Sequence, residues 1–239
     1  MSSTNPVIVA LDCDASEALS LAHQLRGRVH WVKVGMTLYY AEGPRIVEQL
    51  RELGFEVFLD LKLHDIPHQV AGAAASIART GAAMLTVHAS GGKAMMRAAV
   101  DAARRAAEEV GLPQPCVIAV TVLTSTDDAG LAETGVVRTA AEQVGLLAQL
   151  AASAGVDGVV CSPNEAEQMR ELLGPTAVIV TPGVRPAWAE SHDQARIATP
   201  ADALAAGASH LVVGRPITGA PDPAHAADRI LSEIEEGPI

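Results

Sequence analysis

The chain has 239 residues, and 49% of them are apolar, enough for the core of one large domain or two small ones. A formal net charge of −11 argues against a nucleic-acid backbone or an anionic membrane as partner, so a phosphate-bearing ligand must be met by a few placed cations. The three cysteines, Cys13, Cys116 and Cys161, lie far apart in apolar runs without CxxC spacing and read as reduced thiols. No Lys or Arg precedes Arg26 and no segment approaches the ~18 apolar residues of a membrane span, so a soluble, cytoplasmic protein is expected.

In chain order, eight short β-branched, apolar runs stand out: Val7–Asp12, Trp31–Gly35, Val57–Lys62, Met84–His88, Cys116–Leu123, Gly158–Cys161, Ala177–Thr181 and His210–Gly214. They are almost continuously hydrophobic, as strands buried on both faces of a parallel sheet should be. Alanine-rich amphipathic segments connect them. In Gly92–Val110, for example, Met96, Ala99, Val100 and Ala103 recur at helical spacing. Gly27, Gly54, Gly81, Gly111, Gly155, Gly174 and Gly207 each fall shortly before the next run, where helices end.

Eight βα units without a linker or composition shift predict a single (β/α)8 barrel domain over residues 1–239, with a doubly wound open sheet as the weaker option. Chemically capable residues gather at the C-terminal ends of the runs: Asp12, Lys33, Asp60 with Lys62, His88, Thr124, Ser162, Arg185 and Arg215. In a barrel those ends converge on one mouth.

The segment Asp60-Leu-Lys62-Leu-His-Asp65-Ile-Pro67 carries the sharpest signal. Asp60 and Lys62 are two apart in a strand-like run and share a face, while Leu59 and Leu61 point the other way. Asp65 follows three residues later, where the strand gives way to a loop before Pro67. An ammonium held between carboxylates stays charged, which suits a general acid better than a nucleophile. A surface ion-pair cluster is the structural alternative, but charges that interrupt an apolar strand favour a site.

Further along, Thr-Pro-Gly183-Val-Arg185 and Val-Val-Gly214-Arg215-Pro close the last two runs, the usual phosphate position of such barrels. Glycine allows close approach of backbone N–H groups, and arginine supplies a charge-assisted fork. Asp12 and Lys33 suit either sugar-hydroxyl recognition or a structural ion pair. His88 reads as a hydrogen-bonded rim histidine, with a catalytic role as the alternative. His64 and His68 flank Asp65 but lack metal-ligand geometry and a third ligand. Asp127 and Asp128 read as a solvated helix start or turn. The long stretch from Gly183 to Ile197, ahead of a helix signal at Thr199-Pro200-Ala-Asp202, suggests a lid, with a plain surface loop as the alternative.

With these motifs in order, the chain from Val7 to about Pro223 resembles the bacterial orotidine 5′-phosphate decarboxylase family. The matching segments are Val-Ala-Leu-Asp12, Val-Lys33-Val-Gly, the Asp60–Pro67 stretch, Thr-Val-His-Ala-Ser-Gly-Gly, Thr-Val-Leu-Thr124-Ser, Thr-Pro-Gly-Val-Arg185, Asp193-Gln194 and Val-Val-Gly214-Arg215-Pro. The resemblance implies a barrel enzyme, free of metal and cofactor, that converts orotidine 5′-monophosphate to uridine 5′-monophosphate. It further implies that Lys62 donates the proton to pyrimidine C6, that Asp60 and Lys33 complete the charged array, and that Asp12 and Lys33 hold ribose hydroxyls. Asp65 would enter the active site of the partner in a homodimer. Thr124 would meet the base, Gln194 would bridge lid, base and phosphate, and Arg185, Arg215 and the Gly214 backbone would hold the phosphate. The family usually has Asn-Thr after Asp-Ile-Pro, whereas this chain has His68-Gln69, so the threonine's cross-dimer ribose contact is not carried over, though the Gln69 amide could reach a hydroxyl in its place. Two rivals share the barrel: a Mg2+-dependent sugar-phosphate decarboxylase or aldolase-like relative, and a catalytically silent phosphometabolite-binding protein.

Overall fold

The computed structural model describes residues 5–188 and 198–238. Eight parallel strands close on themselves in sequence order, with β8 returning to pair with β1. They are β1 (Val7–Leu11), β2 (Trp31–Gly35), β3 (Glu56–Leu63), β4 (Met84–His88), β5 (Cys116–Val120), β6 (Gly158–Val160), β7 (Val178–Pro182) and β8 (His210–Val213). The predicted barrel is therefore the one observed, and the open sheet is excluded. Most strands end a residue or more from where the apolar run does. The largest difference is at β5, which stops at Val120 and leaves Thr124 in the following loop.

Helices cover the outside: α1 (Ala15–Leu25), α2 (Met36–Glu42), α3 (Arg45–Glu52), α4 (Pro67–Arg79), α5 (Gly92–Glu109), α6 (Asp128–Glu133), α7 (Ala140–Ala154), α8 (Ala166–Leu173), α9 (Pro200–Ala205), α10 (Arg215–Thr218) and α11 (Pro223–Glu236). Their starts follow the capping residues. Asp14 accepts the Glu17 N–H ahead of α1, Asp127 accepts the Gly130 N–H ahead of α6, and Thr199 with Asp202 forms a capping box ahead of α9. The seven glycines read as helix ends all have positive φ. Gly155 shows the reason: at φ 83° its N–H returns to the Ala151 carbonyl and closes α7 in the left-handed region that glycine enters without strain. Among the described residues, no helix is long and apolar enough to cross a membrane.

The period of two along each strand separates two cores. Ile8, Phe58, Met84, Ile118 and Val180 form one buried cluster, the barrel interior. Their neighbours Val9, Leu59, Leu85, Ala119 and Ile179 belong to the larger cluster between barrel and helices. Both faces are thus dry, which is why the strands read as unbroken apolar runs. The N-terminal ends of the strands are stitched by arginines. Arg104 binds Asp157 at 2.7 Å, and Asp157 in turn accepts the Val117 N–H at 2.8 Å. Arg170 donates to the carbonyls of Gly174, Ala177 and Gly207.

His210 opens β8 at this end, its ring edge-on to Trp31 at 5.4 Å between centroids. Burial lowers its pKa below the ordinary 6.5. Above pH 6.5 both folded and unfolded states hold it neutral. As the pH falls through 6.5 the unfolded chain takes up the proton first, so stability is lost from there downward. The urea midpoint should fall between pH 7.5 and about 5.5, and His210→Gln should flatten that decline. An unchanged slope in the variant would exclude His210 as its source.

Candidate active site

Continuing the inward-facing period past the apolar interior leads to charge. On β2 the residue above Trp31 is Lys33; on β3, Phe58 is followed by Asp60 and Lys62; on β4, Met84 is followed by Thr86 and His88. These side chains form an alternating chain at the C-terminal mouth. Asp12 Oδ1 lies 2.9 Å from Lys33 Nζ, which is 3.9 Å from Asp60 Oδ2, which is 2.7 Å from Lys62 Nζ. Side-chain exposure falls from 64% at Asp12 to 9% at Lys33 and 14% at Asp60, then rises to 27% at Lys62. Alternation of sign lets four charges share a confined site, since each faces opposite charge at contact distance. Gly35 makes room for the outer link: a Cβ there would lie 3.1 Å from Asp12 Oδ1 and 3.3 Å from Lys33 Nζ.

The strand carrying Asp60 and Lys62 is not regular. Lys62 has φ 51°, the only positive φ of a non-glycine among the described residues. A non-glycine residue held there costs on the order of 1–3 kcal/mol. The β3–β4 register slips at the same place, between Leu59 and Leu63. Asp60 and Lys62 do share a side, as expected, but by a bulge rather than by simple alternation. Thr86, which sequence reasoning passed over, sits against this bulge. It accepts the Lys62 backbone N–H at 2.8 Å and donates to Asp60 Oδ1 at 3.0 Å. The one available signal was a hydroxyl at an inward position of an apolar strand.

Asp65 stands apart from this chain of charges. It is exposed, and its Oδ1 accepts the N–H of the next residue, Ile66, at 2.6 Å. Ile66 beside it is 62% exposed, a large apolar side chain outside the core. Within one chain, then, Lys62 is paired with Asp60 and not with Asp65. His88 faces His64 at 5.4 Å between ring centroids. Burial, and secondarily His64 and Lys62, lowers its pKa against the opposing pull of Asp60, so at neutral pH it is uncharged.

On the other side of the mouth, a cleft of about 1030 Å3 is lined by Thr124, Ser162, Gly183 and Arg215 among others. Arg215 is exposed there, immediately after Gly214 at the end of β8. Arg185 is buried at 8% exposure, with its backbone N–H bound to the Ala198 carbonyl at 3.1 Å. Asp127 caps α6 at the cleft edge, the first of the two readings, helix start or turn, that its sequence allows. Gln194 and Asp193, and most of the expected lid, lie outside the described residues. No group of three or more His, Cys, Asp or Glu residues that could hold a metal ion is found among the described residues.

Comparisons with known proteins agree with this geometry. The profile of the orotidine 5′-phosphate decarboxylase / HUMPS family matches residues 5–230. The orotidine 5′-phosphate decarboxylase of Paramagnetospirillum magneticum is 52% identical over 231 residues, covering 96% of this chain and 98% of the relative. That of Moorella thermoacetica is 51% identical over 237 residues, covering 98% and 94%. The crystal structure of orotidine 5′-phosphate decarboxylase from Lactobacillus acidophilus superposes with a TM-score of 0.85 at 40% identity, covering 96% of this chain and 99% of that one. On fold, family profile and near full-length identity together, this chain belongs to the orotidine 5′-phosphate decarboxylase / HUMPS family and is a carboxy-lyase.

Proposed function

We propose that this protein decarboxylates orotidine 5′-monophosphate to uridine 5′-monophosphate in pyrimidine biosynthesis, with Lys62 protonating C6 and no metal or cofactor taking part. The observation that carries the reading is the Asp12–Lys33–Asp60–Lys62 chain of charges at the mouth of a barrel whose relatives bear the decarboxylase name.

The chemistry follows from the charges. Breaking the bond between C6 and the carboxylate releases CO2 and leaves the electron pair on C6, as a carbanion in the plane of the ring. An ammonium beside that carbon stabilises the developing charge before any proton moves, then supplies the proton. Lys62 becomes a neutral amine and regains its proton from solvent. Asp60, hydrogen-bonded to Lys62 at 2.7 Å, orients the ammonium. Lys33 and Asp12 reach toward ribose hydroxyls, and the exposed carboxylate of Asp12 is the accessible end of the chain. Thr124 meets the base and Gln194 links lid to ligand. Arg215, Arg185 and the Gly214 main chain take the phosphate, a contact remote from the breaking bond whose binding energy is available to lower the barrier.

The protein acts as a homodimer, and Asp65 serves the partner's site. Support comes from Asp65 being exposed and unpaired with Lys62 inside its own chain, next to the exposed Ile66. The whole chain functions as one barrel domain. A reducing cytoplasm suits its three free cysteines; burial raises Cys116 and Cys161 to about 12, which keeps both as inert thiols.

Purified protein treated with EDTA should convert orotidine monophosphate, followed by its loss of ultraviolet absorbance, at the untreated rate. Loss of activity restored by Mg2+ would instead support the sugar-phosphate rival. Lys62→Ala should lower kcat by at least ~10²–10³ while substrate affinity changes far less, because the charge acts where the carbanion forms. Turnover within a factor of ten of wild type would show that Lys62 is structural. Mixing Lys62→Ala with Asp65→Ala protein should restore activity. Random exchange makes about half the dimers mixed, each with one intact site, giving roughly a quarter of wild-type activity. No recovery after verified subunit exchange would assign Asp65 to its own chain's site.

A further inference from the structure

Three residues of β3 lie opposite a single residue of β4. Leu59 pairs with Leu85 and Leu63 pairs with Val87, so Asp60, Leu61 and Lys62 share Thr86 as their counterpart. A ladder with such a mismatch leaves backbone groups on the longer strand without their usual partners, and a buried N–H must find another. Thr86 is fully buried, and its hydroxyl meets two needs at once. It takes the Lys62 N–H in place of a ladder carbonyl, and it gives its single proton to Asp60 Oδ1. The Asp60 oxygen that Thr86 leaves free, Oδ2, is the one bound to Lys62 Nζ. Thr86 therefore touches the backbone of the lysine and the carboxylate that pairs with the same lysine's side chain. Lys62 meanwhile holds a positive φ, a conformation that persists only where the surroundings over-determine it.

We infer that Thr86 is a positioning residue for the decarboxylation: its hydroxyl holds the Lys62 main chain in the left-handed turn and fixes the Asp60 carboxylate against which the ammonium is set. The inference rests on the proposed role of Lys62. Valine is nearly the same shape as threonine and lacks the hydroxyl, so Thr86→Val removes both hydrogen bonds while filling the same space.

The test compares Thr86→Val and Thr86→Ser with wild type by kinetics, by uridine monophosphate affinity and by amide hydrogen exchange in the unliganded protein. In Thr86→Val, kcat should fall by about 10–100-fold, the scale of a small misplacement of a reacting group. KM and nucleotide affinity should stay within about threefold, since the phosphate contacts are untouched. Exchange at the Lys62 amide should quicken, because that N–H loses its buried acceptor. Thr86→Ser keeps the hydroxyl and should recover most of the turnover and the slow exchange. If Thr86→Val does not fold, Thr86→Ala against Thr86→Ser gives the same comparison. Wild-type turnover in the hydroxyl-less variant overturns the inference, as does an equal loss in the serine variant or an unchanged Lys62 exchange rate. If wild-type protein leaves orotidine monophosphate intact, the decarboxylase reading falls instead, while the exchange comparison still decides whether Thr86 holds Lys62.

Discussion

Asp60 is a carboxylate drawn into the top of an apolar barrel, and the geometry of the mouth follows from keeping it paired. Its Oδ2 is bound by Lys62 and lies within 4 Å of Lys33, and its Oδ1 takes the Thr86 hydroxyl. Lys33 is more deeply buried than Asp60 and needs a carboxylate of its own, which Asp12 supplies. Each group is tolerable only because the next is present, for removing one partner of a buried pair leaves an uncompensated charge in a poor solvent. The array is therefore a single unit, contributed by β2, β3 and the loop after β1, and its parts are not independently replaceable. Parallel pairing in register brings those three contributions to one height: Lys33 lies beside Ala10, and Gly35 beside Asp60.

The barrel separates stability from chemistry along its axis. At the N-terminal end, Arg104 with Asp157 and Arg170 with three carbonyls tie strands to helices. Above them the inward positions are filled by Ile8, Phe58, Met84, Ile118 and Val180, a dry floor for the charges higher up. The same period-two alternation that buries Phe58 delivers Asp60 two residues later. A low-polarity floor also strengthens the electrostatic interactions above it.

Much of this was legible in the sequence because its physical causes are local. Both faces of most strands pack into a core, so the runs could be counted, and seven glycines at helix ends supplied the punctuation. Asp60 and Lys62 were visible as charges inside one such run. Thr86 and the left-handed Lys62 were not, since a bulge depends on the register between two strands and no single strand encodes it. Asp65 is close to Lys62 in sequence, yet among the described residues its carboxylate accepts only the N–H of its neighbour Ile66. The short helices α2, α6 and α10 left no periodic trace, having too few turns to show one. Across the mouth, Arg215, Gly183 and Thr124 line one cleft, while Arg185 is buried.

The fall in exposure from Asp12 to Asp60 has an electrolyte consequence. Dissolved ions screen charges in contact with water and reach buried pairs far less. Salt therefore acts on this array from the outside inward, loosening the Asp12–Lys33 link, where Asp12 is mostly in solvent, and sparing the Lys62–Asp60 contact beneath it. The Asp12 end of the array is tuned by ionic strength, and the Asp60–Lys62 end is insulated from it.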